Sequence, residues 1–155
     1  MANPSPYRSL SPEKRVELVK HAVTSAKEGR ALYVARLAAK TGFRPLTLQS
    51  WSADKLAKEI VRTRAETNDD ELSLLHLLYV DLEPEIQTTF LEAAGVQHEK
   101  GVMPDELEPP YTDVDGVKRG VDAVRAKHGE DGERYLRTLA RYNAEGWPRI
   151  GDYLT

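Results

Sequence analysis

The chain has 155 residues, no cysteine, a formal charge of −3 and 30% Asp, Glu, Lys and Arg. That length fits one ordinary domain or two small helical ones, and the absence of cysteine excludes disulfides, thiolate chemistry and cysteine-type zinc sites. No apolar run is long enough to span a bilayer and no charged-then-apolar leader follows Met1, so the expectation is a cytoplasmic protein with no membrane contact.

The charge is unevenly placed. Residues 1–66 hold 13 Lys and Arg against 6 Asp and Glu, a balance of +7. Residues 67–155 hold 9 against 19, a balance of −10. Two surfaces with different partners would give this asymmetry, the basic one suited to a polyanion. So would two halves that face and attract each other.

In chain order, "ANPSPYRSLS" has Pro and Ser but no periodicity and reads as a flexible arm over residues 1–10. Ser11 then Pro12 marks a helix start, Val16, Val19, Val23 and Ala26 give a helical stripe, and Gly29 reads as its stop. A second helix, "RALYVARLAAKT", ends at Gly42. Pro45 opens a third whose apolar face runs through Trp51, Leu56, Ile60 and Val61, unless Ser52 caps a separate helix over 53–66. "ETNDD" reads as a boundary. After it, "ELSLLHLLYVDL" places seven Leu or Val in twelve residues. A helix apolar on nearly every face is buried or lies in a subunit interface, so Leu74, Leu77 and Leu78 are expected at a homodimer contact. His76, within that run, reads as a core histidine. Pro84 opens a helix ending at Gly95, Val117, Val121 and Val124 mark another ending at Gly129, and a last helix starts at Asp131 and carries Tyr135, Leu139 and Tyr142.

The loop over 95–112 invites a calcium reading because Asp113 and Asp115 precede Gly116. Tyr111 stands where the first acidic ligand belongs, however, and Asp122 where the closing Glu should be. The loop reads as a connector. His21, His76, His98 and His128 lie on separate elements without metal-ligand spacing, and no glycine-rich phosphate loop is present. No catalytic residue, metal or cofactor is expected.

The informative stretch is "LAAKTGFRPLTLQSW", Leu37 to Trp51. Ala38 allows a close helix crossing, Gly42 accepts a left-handed backbone, and Phe43, Leu48 and Trp51 pin the crossing angle. This run resembles the helix-turn-helix of transposase-like and other bacterial DNA-binding proteins, where a GVSPSTVxRW-like segment is common. The resemblance covers residues 11–66. It departs from that pattern at Ser52, Ala53 and Asp54, where relatives carry Arg or Lys, and at Leu46, which would face the groove. The resemblance implies that the helix from Pro45 enters the major groove of duplex DNA. Gln49 would then read an adenine edge, Arg44 a guanine or phosphate, and Thr47 and Ser50 backbone or bases, with Arg36 and Lys40 on phosphates.

The expected class is all-α, with a three-helix helix-turn-helix-like unit over 11–66 and an acidic four-helix bundle over 67–155. The expected function is non-enzymatic DNA binding, consistent with a transcriptional regulator, the acidic half serving oligomerisation or a protein partner. The alternative is a helical protein–protein interaction module or adaptor with no nucleic acid, in which Gly42–Trp51 is a plain helical hairpin.

Overall fold

The computed structural model describes residues 5–154. The described residues are mostly helical and contain no strand, so the fold is all-α. No helix among them is long and apolar enough to cross a membrane. The chain divides into two compact units between Leu77 and Leu78, eleven residues beyond the boundary read at 66.

The first unit holds α1 (Pro12–Ser25), α2 (Lys27–Thr41), α3 (Pro45–Gln49), α4 (Ala53–Thr63) and α5 (Asn68–His76). Its starts are local chemistry. The Ser11 hydroxyl accepts from Lys14 N, and the Ser52 hydroxyl accepts from Lys55 N, each satisfying an orphan amide of the first turn. Ser52 therefore caps a separate helix, and the helix from Pro45 stops after five residues. Leu56, Ala57, Ile60 and Val61 line one face of α4 and are buried, chiefly against α1 and also against α2.

Gly29 does not stop α1. That helix ends at Ser25, Ala26 turns extended, and Gly29 lies in the first turn of α2. A Cβ there would sit 2.5 Å from the Ala22 carbonyl oxygen, so the glycine permits close passage of the two helices.

Residues 5–10 are not a free arm. They form turns, with Tyr7 fully buried and Leu10 nearly so. The Tyr7 hydroxyl donates to Glu66 at 2.5 Å, and Arg8 pairs with Glu66 and Glu71, each at 3.4 Å. Ser5 also donates to Glu71. Residues 1–4 of the expected arm lie outside the described residues.

The second unit begins inside the leucine-rich run, where α5 passes into a π-helical turn at Leu77–Leu82. Leu74, Leu75 and Leu78 are buried and Leu77 is half-buried. Of the leucines expected at a dimer contact, the chain buries Leu74 and Leu78 and leaves Leu77 partly open. His76 is exposed instead of forming part of the core.

The described part of the second unit holds α6 (Pro84–Ala94), α7 (Val114–Tyr142), which is two helical segments joined at a kink, and 3-10 turns after them. Gly129 breaks α7 with φ 55 and ψ −126, a conformation natural only to glycine. Ile86, Phe90 and Leu91 of α6 bury against α7, where Val117, Val121, Val124, Tyr135 and Leu136 are buried. Phe90 meets Tyr135 and Trp147 edge-on at 5.9 and 4.9 Å, and Tyr79 meets Tyr135 at 5.0 Å. Burial pushes the Tyr135 hydroxyl up, and that of Tyr79 up to about 12. Asp113 caps α7 by accepting from Gly116 N at 2.7 Å. Among the described residues, no group of three or more His, Asp or Glu is placed to hold a metal ion.

Candidate binding surface

The segment from Lys40 to Lys55 projects a compact turn from the first unit. Gly42 ends α2 in the left-handed region at φ 80, its N–H bonded to the Ala38 carbonyl at 2.8 Å. Phe43 and Arg44 lead into Pro45 at the first position of α3. Leu48 alone of this stretch is buried, and it anchors the short helix against the unit. The Arg30 guanidinium holds the turn from outside. Its Nη2 donates to the carbonyls of Gln49 at 3.0 Å and Trp51 at 2.6 Å, and its Nε to the Gln49 Oε1 at 3.3 Å. Phe43 packs edge-on to Trp51 at 5.8 Å, and Lys55 lies 4.1 Å over the Trp51 ring.

This frame leaves apolar surface facing out. Leu46 is 85% exposed and Phe43 is 48% exposed. Lys40 and Arg44 lie in the same stretch, both exposed and in no ion pair among the described residues.

The six residues expected at DNA do not form one surface of free side chains. Arg44 and Thr47 are exposed on the turn beside Lys40. Gln49 is held by Arg30, and Ser50 donates its hydroxyl to the Thr47 carbonyl at 2.6 Å. Arg36 pairs with Asp70 at 3.0 Å, and the hydrogen bond to that carboxylate raises its pKa further. Asp70 is itself buried and accepts from Thr67 N to close a capping box at the start of α5. A helix of five residues is about 7.5 Å long at the usual rise.

The later unit boundary also changes the charge balance. The unit ending at Leu77 has 13 Lys and Arg against 9 Asp and Glu, or +4, where the basic half was read at +7. Glu66, Asp70 and Glu71 are all buried beside Arg8 or Arg36. Sequence reading missed Arg30, which reaches Gln49 from 19 positions away, and Lys55 over Trp51. Only the second had a local signal, an aromatic four residues before a cation at the start of a helix. No protein-family model, curated protein or solved structure matches the chain.

Proposed function

We propose that the chain is a non-enzymatic protein-interaction module whose first unit docks a protein through the turn from Phe43 to Trp51. The observation that carries this reading is Leu46, 85% exposed on a helix held in place by Leu48 and Arg30. A single exposed leucine is ordinary on a protein surface. Leu46 differs because exposed Phe43, Lys40 and Arg44 lie within six positions of it, on a turn tied down by the Arg30 hydrogen bonds. An apolar centre with a cationic rim is the anatomy of a protein interface. Duplex DNA offers a leucine only the thymine methyl.

A second reading, duplex DNA binding by the same turn, is favoured by the unpaired cations Lys40 and Arg44. Titration of the full chain with labelled duplex DNA at rising salt sets the readings against each other. Protein docking predicts weak binding that disappears near physiological salt, because few phosphates are neutralised, and that Leu46→Ser leaves unchanged. A saturable, sequence-preferring complex at that salt, weakened by Lys40→Ala and Arg44→Ala, would overturn it.

A further inference from the structure

The second unit carries a surface opposite in charge to the turn around Leu46. In the loop after α6 the chain forms an open groove of about 790 Å³, lined by His98, Glu99, Lys100, Val102, Met103 and Asp105 among others of residues 97–105. That volume is in the range of clefts that accept a few apolar side chains. Val102 is 51% exposed in it, and the main chain beneath is fixed. Gly101 N donates to His98 Nδ1 at 3.0 Å, Glu99 and Val102 exchange backbone hydrogen bonds at 2.8 and 3.0 Å, and Gln87 donates to the Gly101 carbonyl.

The lining itself carries Glu99 and Asp105 with Lys100. The segment around it is acidic, with Glu92, Glu99, Asp105, Glu106 and Glu108 against Lys100 over residues 92–108. All five carboxylates are exposed, and among the described residues only Glu92 has an ionisable partner, His98 at 3.8 Å. The first unit offers the converse, exposed Phe43 and Leu46 on the same turn as exposed Lys40 and Arg44. Apolar surface thus matches apolar surface, and two cations match a carboxylate-rich loop.

We propose that the chain associates head to tail, the Lys40–Leu46 turn of one copy seated in the groove around Val102 of a second copy. The inference rests on the protein-docking reading of that turn and names its partner as another molecule of this chain. The contact is heterologous, so each copy keeps a free turn or a free groove and the assembly grows with concentration. Charge pairing at its exposed rim makes it sensitive to salt.

Sedimentation equilibrium of the full chain from about 1 to about 300 µM tests this. The expected result is a mass near 17.4 kDa at the low end, rising with concentration in low salt and held down by high salt. Leu46→Asp and Val102→Asp each change an exposed side chain, so helicity is retained, and each alone should keep the protein monomeric. Mixed together they should form a complex of two chains and no larger, because one intact turn meets one intact groove. A chain that is monomeric at every concentration overturns the proposal, as does association that neither variant alters, or a mixture that stays monomeric. If the purified chain is monomeric while a label at position 46 still reaches a foreign protein in cells, head-to-tail association fails and the docking reading stands.

Discussion

Arg36 and Asp70 form an ion pair at 3.0 Å across 34 positions of chain. The pairing uses a cation that the sequence offered to phosphate and draws the first acids after α4 into the basic unit. Removing the guanidinium leaves a buried carboxylate with one fewer donor. Arg36→Ala should therefore lower the urea unfolding midpoint, because the buried Asp70 carboxylate loses its charged donor. Lys40→Ala, on the same helix and unpaired, should change stability by less than about 0.5 kcal/mol. Equal effects would remove the distinction between a structural and a free cation.

The buried tyrosines fix the behaviour in alkali. Burial raises Tyr7, with the Glu66 charge adding to it, and burial raises Tyr33, Tyr79 and Tyr135. A folded pKa above the unfolded value gives stability that is complete below the unfolded pKa of about 10 and is lost as pH rises through the folded value. Helicity should therefore hold to about pH 10 and fall above it, with the tyrosinate absorbance of these four appearing only as the chain unfolds. Their ionisation in a still-helical chain would contradict the burial.

The leucine run separates core from surface. Leu74 is buried and Leu72 is 42% exposed. Leu74→Ala should cost about 2–5 kcal/mol, and Leu72→Ala less than about 1 kcal/mol. Neither should change the association state at a given concentration once the protein is folded, as sedimentation would record. Loss of association in Leu74→Ala with stability intact would return this run to an interface.

The cues that sequence carried faithfully were those confined to a few residues. Ser11-Pro12, Ser52, Gly42 and Gly95 act through their own backbone neighbours, so the helix ends they mark could be read directly. Gly29 has the same appearance but serves a contact with Ala22, and a stop was read where two helices pass closely. Tyr7 and Glu66 are 59 positions apart, and nothing local announces that a segment rich in Pro and Ser buries an aromatic ring. The leucine run had the right composition for a covered helix, but composition does not say whether the cover comes from the same chain. At the candidate surface, Gly42, Pro45 and Leu48 were legible as a turn between helices. The length of α3 depended on Ser52 capping α4, an alternative the periodicity left open.

Photo-crosslinking in cells, with a photoreactive residue replacing Leu46, tests the central claim most directly. Lys58, exposed on α4 and paired with Asp54, supplies the control position on basic but polar surface. The account predicts protein adducts from position 46, to a second copy of the chain or to another protein, with little from position 58. Nucleic-acid adducts at position 46, or equal yields at the two positions, would contradict a protein-docking surface centred on Leu46.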